Sequence, residues 1–377
     1  MVRRFYDAIV LGAGGVGSAA MWQLAQRGLR VLGIDRFAPP HDRGSSHGQT
    51  RIIRQAYFEH TDYVPLALES YRLWEQLERS SGRRLKVETG LLQAGPADGV
   101  VVPGVWHAAR VHGLDVQRLA ASEIADRWPS FRGLDEMVGA FEHRAGYLLV
   151  EDCVAACLAA AKQCGADLLE GVEVIDWSSD GEVRVRTTAG EFAADRLVIA
   201  AGAWAGQLLE TLRLSLAVRR KTMMWHASSD PRTHASAGFP CFLLEVPQGF
   251  FYGFPAIDDR GLKVAQHDGG AVIADPLTVD RTLHDSDRAL VEAFLHQHLP
   301  AVATPCVEHA VCLYTMSPDE NFIVDRHPED PRIVFAAGLS GHGFKFTPAL
   351  GRALTELAID GESSLPVEFL SLARFKN

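Results

Sequence analysis

Four of the six residues in Gly12-Ala13-Gly14-Gly15-Val16-Gly17 are glycines. The segment stands between an apolar, β-branched run at 6–11 and a helical spacing of Ala19, Ala20 and Leu24 that Gly28 ends. A second apolar run at 31–34 stops at Asp35, 18 residues after Gly17. Strand, GxGxxG, helix, strand and acid in that order form a dinucleotide-binding unit. Gly12, Gly14 and Gly17 allow a tight turn and let the backbone approach a pyrophosphate, and the helix N-terminus offers free N–H groups to the anion. Asp35, with Arg36 next in the chain, stands where a carboxylate accepts hydrogen bonds from the adenosine ribose hydroxyls. There is one GxGxxG unit, so a second nucleotide domain for NAD(P)H is not expected.

The other candidates are cations. The chain has six lysines against 31 arginines, so Lys263 and Lys345, both in glycine-rich settings, stand out. Arg51 and Arg54 lie beside His47 in a Gly/Ser-rich loop, a setting unlike that of a solvated surface arginine.

The elements that must carry these residues recur along the chain. A buried strand at 194–200 runs into Ala201-Gly202-Ala203, small residues that let the chain pass close to a cofactor. A short strand at 333–337 opens into Gly338, Gly341 and Gly343 and then a helix at 348–360. Helices are expected at 62–77, 152–164 and 286–298, with helical pieces at 106–112 and 122–128. Strands are expected at 85–92, 168–173 and 183–187, and 225–307 reads as β-rich. Nucleotide-binding elements at the beginning, middle and end imply one FAD domain written in three pieces. The expected fold class is α/β: a discontinuous Rossmann-like FAD domain (1–85, 145–220, 320–377) with a β-rich substrate domain of mixed α+β type (86–144, 221–319).

Composition narrows the function. The 377 residues are 47% apolar and 22% charged, as in ordinary globular proteins, and length suggests two or three domains. A formal net charge of −10 without a basic run argues against nucleic-acid partners. Six cysteines form no disulfide framework and no zinc spacing, so a reducing cytoplasm is the expected location and no metal is expected. Arg3-Arg4 ahead of the apolar stretch 8–20 has the outline of a twin-arginine signal. Asp7 and four glycines interrupt it, and cleavage would delete the nucleotide motif, so a signal peptide is not expected. The longest apolar candidate, 197–209, falls short of the roughly 18 residues of a membrane span.

Five blocks in order carry a resemblance over residues 12–377. They are Gly44-Ser45-Ser46-His47-Gly48-Gln49-Thr50-Arg51-Ile52-Ile53-Arg54, Tyr252-Gly253-Phe254-Pro255, Gly261-Leu262-Lys263 with His267, Cys312-Leu313-Tyr314-Thr315 leading into 317–325, and 338–346. The sequence resembles the monomeric sarcosine oxidase and N-methyl-tryptophan oxidase family of amine-oxidising flavoproteins. The stretch 263–270 and the ending 372–375 look slightly closer to the N-methyl-tryptophan oxidase branch.

The resemblance implies FAD bound covalently through the Cys312 sulfur; Cys306, nearby, is outside the motif. It implies Lys263 near flavin N5, assisting electron transfer to oxygen, since a fixed cation stabilises the developing negative charge. It implies Arg54 and Lys345 as partners of a substrate carboxylate, which a planar guanidinium suits well, and Arg51 beside the flavin ring. His267, Tyr252 and Tyr314 match residues of the substrate pocket, Ser45, His47 and Thr50 belong to the cofactor loop, and His342 shapes the loop over the flavin. Gln49 stands where the family commonly has Asp, which removes an expected charge near the arginines.

The activity implied is oxidation of a secondary amine, an N-methyl amino acid, by molecular oxygen, giving formaldehyde, the primary amino acid and hydrogen peroxide, in a monomeric enzyme. Two alternatives remain open here: an oxidase or dehydrogenase of D-amino acids or cyclic imino acids, and the flavin subunit of an electron-transferring complex.

Overall fold

A computed structural model describes residues 5–302 and 306–375; Arg3, Arg4 and Lys376 lie outside them. The central strand Phe5–Leu11 is buried along almost its whole length and pairs in parallel with Val31–Ile34 on one side and Gly190–Ile199 on the other. Strands buried on both faces read as continuous apolar runs, as this one does. Ile333–Ala337 adds in parallel to Gly190–Ile199, and the full sheet has eight strands. The glycine turn leads into helix Gly15–Gln26, which packs against Val150–Gln163 and Thr347–Ile359. The three segments that carry nucleotide-binding features thus lie in one sheet and its helical cover.

The second sheet has nine strands, most of them antiparallel. Side chains alternate in such strands, so each strand contributes to two faces. Phe242, Leu244, Phe251, Leu262 and Val264 point to one face, where Phe294 and Leu295 of helix Asp285–His298 cover them. Leu243, Tyr252, Phe254, Ala265, Cys312 and Tyr314 belong to the other. Register fixes their order: Tyr252 lies opposite both Leu243 and Ala265, and Phe254 opposite Lys263. Cys312 and Tyr314 of this second face share a cleft with the glycine turn and with Asp35. A three-stranded sheet, Thr50–Ile53, Gly146–Leu149 and Lys86–Glu88, joins the two and carries Arg51 at its edge.

Most expected elements are present within a few residues, including helices Tyr63–Ser81, Val150–Gln163 and Thr347–Ile359. Two expectations need correction. The single strand at 85–92 is two strands, Lys86–Glu88 and Leu91–Gly95, in different sheets. Gly90 breaks it with φ +75°, a left-handed conformation open to glycine, and the apolar pattern continues across the break. The strand at 168–173 is only Asp167–Leu169, because the chain leaves the sheet edge before Val174–Ser178.

Gly17 tests the packing of the glycine turn. Alanine in a helix is favoured over glycine by about 1 kcal/mol. Here a Cβ on Gly17 would collide with the Gly12 carbonyl oxygen, which is backbone and cannot step aside. Overpacking of this kind costs about 1–3 kcal/mol or more, so Gly17→Ala is expected to lower the melting temperature and the flavin content together. A melting temperature equal to or above wild type would contradict the assigned contact.

Candidate functional site

A long cleft with about 1380 Å³ of empty space, open mouth included, runs between the two large sheets. Gly12, Gly14 and the start of helix Gly15–Gln26 line it at one part, with Asp35 and Arg36. Asp35 is buried and already shaped by the turn, since its oxygens accept the Ala13 N–H (2.7 Å) and the Phe37 N–H (2.8 Å). Ala201, Gly202, Gly338, Gly341 and Gly343 line the same cleft, as do Ser45 and Cys312. A cleft walled by small residues, with a helix N-terminus and an acid at the end of the second strand, fits a dinucleotide. At Gly341, φ is +81° and a Cβ would run into the Tyr314 ring, so only glycine lets this loop lie against the strand.

A second cavity, about 580 Å³ of empty space, opens from the first. Arg51, Tyr314, Gly341 and Phe344 line both. Arg54, Tyr252, His267 and Lys345 line the second alone, with Ile52, Phe58, Leu91 and Leu243 as apolar walls. Six of the seven expected catalytic residues, distributed from position 51 to 345, therefore meet in one chamber.

The polar groups of this chamber are held firmly. Arg54 donates to the Ala56 carbonyl (2.7 Å) and to both oxygens of Glu59 (2.6 and 2.7 Å), and its guanidinium lies 3.8 Å from the centre of the Tyr57 ring. Lys345 Nζ donates to the His342 carbonyl (2.8 Å) and to the Tyr57 hydroxyl (3.3 Å). His342 Nε2 faces the Glu320 carbonyl at 3.0 Å, which can only accept, so Nδ1 is left to accept from the Tyr57 hydroxyl at 2.8 Å. Burial pushes His342 down to about 4 and Lys345 down to about 7, the latter helped by the charge of Arg54. Burial likewise pushes His267 down to about 3, so it is neutral across the working range. Tyr252 and Tyr314 stand in the same wall, and burial pushes both phenols up.

Arg51 connects the two cavities. It donates to the Thr50 and Ser45 carbonyls (2.9 and 3.0 Å) and contacts Cys312 Sγ at 3.2 Å. Lys263 is 2% exposed and lines neither cavity. Its Nζ donates to the carbonyls of Gly48 and Thr50, both at 2.8 Å, and lies 4.2 Å from the centre of the Phe254 ring. Burial, reinforced by Arg51, pushes Lys263 well below its ordinary range. Gly17, His47 and Thr50 do not line the cleft either. Gly17 packs the helix on the turn, Thr50 serves Lys263 through its carbonyl, and His47 is buried with Nε2 unpartnered.

Three acids escaped the sequence reading. Glu59 occupies Arg54, Glu142 accepts the N–H groups of Gln55 (2.6 Å) and Ala56 (3.0 Å), and Glu151 accepts those of Gly48 (2.6 Å) and Gln49 (3.2 Å). Gln49 itself bridges outward, donating to Asp258 (2.6 Å) and accepting from Trp225 Nε1 (2.9 Å). The negative charge near Arg51 and Lys263 thus comes from Glu151, not from position 49. In the sequence Glu151 falls just ahead of the helix expected at 152–164; the structure starts that helix at Val150 and so sets Glu151 in its first turn.

The sequence model of the FAD dependent oxidoreductase family matches residues 7–357. A monomeric sarcosine oxidase of Bacillus sp. (strain B-0618) is 39% identical over 375 residues, covering 98% of this chain and 96% of that protein. An N-methyl-L-tryptophan oxidase of Yersinia pestis (strain Pestoides F) is 39% identical over 376 residues, covering 98% of this chain and 100% of that protein. The solved structure of NikD, an unusual amino acid oxidase essential for nikkomycin biosynthesis, superposes with a TM-score of 0.85 at 27% identity, covering 98% of this chain and 97% of that one.

Glu151→Ala should unseat the loop on which Lys263 rests. Two backbone N–H groups lose a charged acceptor, a contact worth roughly 1.5–3 kcal/mol. The flavin-to-protein absorbance ratio of the purified variant is expected to fall well below wild type, and Glu151→Gln should restore part of it. Full flavin content in Glu151→Ala would show that the loop holds without this carboxylate.

Proposed function

The chain belongs to the family of FAD-dependent oxidoreductases, and from that premise we propose that it oxidises the N-methyl group of an amino acid, whose carboxylate rests between Arg54 and Lys345. The observation that carries this reading is the small chamber: a buried guanidinium and a buried ammonium on one side of an apolar pocket that opens onto the cofactor cleft. FAD, held along Gly12, Gly14 and Asp35, would supply the redox chemistry: a hydride equivalent from the N-methyl carbon and the proton lost from the amine nitrogen as the imine forms together account for the two electrons and two protons that reduce oxygen to hydrogen peroxide. The imine product hydrolyses to formaldehyde and the primary amino acid.

The residues of the chain bind and orient. Arg54 offers a planar fork to the carboxylate, and Glu59 must share it or move when the substrate arrives. The positive field of Arg51, Arg54 and Lys345 disfavours an ammonium in the chamber, so the amine is held neutral, the form able to give up hydrogen with its electrons. His267, neutral, adds no charge against it. Ile52, Phe58, Leu91 and Leu243 exclude water and leave the substrate side chain an apolar surface. Lys263, behind the loop at 48–50, is assigned to the oxygen step: burial disfavours its protonated form, the charge of Glu151 and of a reduced, anionic flavin favours it, and once protonated it would offset negative charge developing on oxygen. Cys312 is assigned as the covalent anchor, since its sulfur lines the cleft and Arg51 sets a cation beside the atom that must act as nucleophile.

A peroxide-release screen tests the activity. N-methyl amino acids are expected to turn over faster than proline, pipecolate or D-amino acids; preference for the latter groups would move the oxidised carbon into the ring or to Cα. The anchor is tested by acid precipitation: flavin should stay with the wild-type polypeptide and become extractable in Cys312→Ala. Free flavin from the wild type would overturn the covalent assignment.

A pH series tests Lys345. Its proton is present below about 7 in the ligand-free enzyme and lost above it, so its share of carboxylate binding is full at low pH and fades as pH rises. Benzoate affinity of wild type relative to Lys345→Met should be about tenfold or more at pH 6 and approach equality well above 7. A ratio constant with pH would remove Lys345 from the carboxylate site.

A further inference from the structure

Glu142 ends the strand Val138–Glu142 and is 2% exposed. It lines neither cavity, so it touches neither substrate nor cofactor. Its two oxygens are divided between two consecutive amides: Oε1 accepts the Gln55 N–H at 2.6 Å and Oε2 the Ala56 N–H at 3.0 Å. Ala56 is then gripped from both sides, because its carbonyl accepts from Arg54 at 2.7 Å. Tyr57, Phe58 and Glu59, which stack on or pair with Arg54, follow immediately in the chain. Across the strand pair Glu142 faces Leu91, a wall of the small chamber.

We propose that Glu142 is the positioning residue of the carboxylate site, fixing the turn at 55–56 and through it the direction of the Arg54 guanidinium. The proposal rests on the reading of Arg54 as the substrate's carboxylate partner. The chemistry of the side chain is specific. Two N–H donors require two acceptors, and a carboxylate provides them; a glutamine would set its own NH2 against one amide. A carboxylate in this place is otherwise unfavourable, since burial pushes it up to about 7 even against the pull of the Ala56 and Gln55 N–H groups and of Arg54 and Arg144. The site keeps a costly group where an apolar one would pack, and what it obtains is the fixed turn.

The test uses the flavin-loaded enzyme. In E142Q, KM for an N-methyl amino acid and Kd for benzoate are both expected to rise about tenfold or more, with kcat near wild type, because the chemistry is untouched and the carboxylate grip is not. KM for the methyl ester of the same substrate should not change. Hydrogen–deuterium exchange should show protected amides at 55 and 56 in wild type and faster exchange over 54–59 in E142Q, with helix Gly15–Gln26 unaltered. An unchanged KM for the acid, or equal losses for acid and ester, would overturn the proposal. So would Gln55 and Ala56 amides that exchange freely in wild type, a measurement that holds even if E142Q fails to fold; E142D, which keeps the charge but shortens the reach, then carries the kinetic comparison. If wild type already treats acid and ester alike, the role of Arg54 fails instead, and the exchange data still report on the grip of Glu142.

Discussion

The cations around the two cavities are held mainly by backbone carbonyl oxygens. Lys263 has those of Gly48 and Thr50, Lys345 that of His342, and Arg51 those of Ser45 and Thr50. Taking such an ion out of water costs several kcal/mol after relaxation, and a hydrogen bond to a charged group returns roughly 1.5–3 kcal/mol. Two or three carbonyls therefore offset part of that cost, and burial still pushes Lys263 well down and Lys345 to about 7. Carbonyls carry no net charge, so the charge of a protonated Lys345 stays available to an anionic group of a ligand, while Glu151 supplies negative charge near Arg51 and Lys263. Arg54 differs. It carries Glu59, which makes the empty site electrically quieter and leaves a carboxylate to be exchanged for a carboxylate.

This arrangement dictates much of the architecture. The carbonyls that serve Arg51 and Lys263 belong to the loop at 45–50, and that loop is itself pinned by Glu151 at the start of helix Val150–Gln163. The carbonyl that serves Lys345 belongs to His342, which Tyr57 and Glu320 hold in one orientation. Tyr57 in turn is packed among Tyr63, His342 and Phe346. The alternation of side chains in the nine-stranded sheet then presents Tyr252, Tyr314 and Cys312 to the same junction, while their neighbours build a separate core under helix Asp285–His298.

How much of this was legible in the sequence follows from how local each signal is. The nucleotide unit is written within 30 residues, and the structure sets Gly12, Gly14, Asp35 and Arg36 along the cleft as the spacing implied. Arg54 and Lys345 came from the resemblance, because nothing in the spacing of residues nearly 300 apart announces a shared chamber. Glu59, Glu142 and Glu151 were invisible among 47 acidic residues; their role exists only where folding sets a carboxylate against particular amides or a guanidinium. The break at Gly90 was hidden by an apolar pattern continuous across it. Lys263 stood out as one of six lysines, yet taken alone it reads as an exposed strand lysine; its burial behind the loop at 48–50 depends on the pairing of strands distant in sequence.

The central claim is that Arg54 and Lys345 bind the substrate's carboxylate and so bring the N-methyl group to the cofactor cleft. Anaerobic stopped-flow reduction of the bound flavin isolates that step from the reaction with oxygen. Wild type should be reduced at least tenfold more efficiently, on rate constant over apparent Kd, by an N-methyl amino acid than by its methyl ester. In Arg54→Met most of that advantage should vanish, through loss with the acid and little change with the ester. Equal reduction of wild type by acid and ester would contradict the account and point to a simple amine as the substrate.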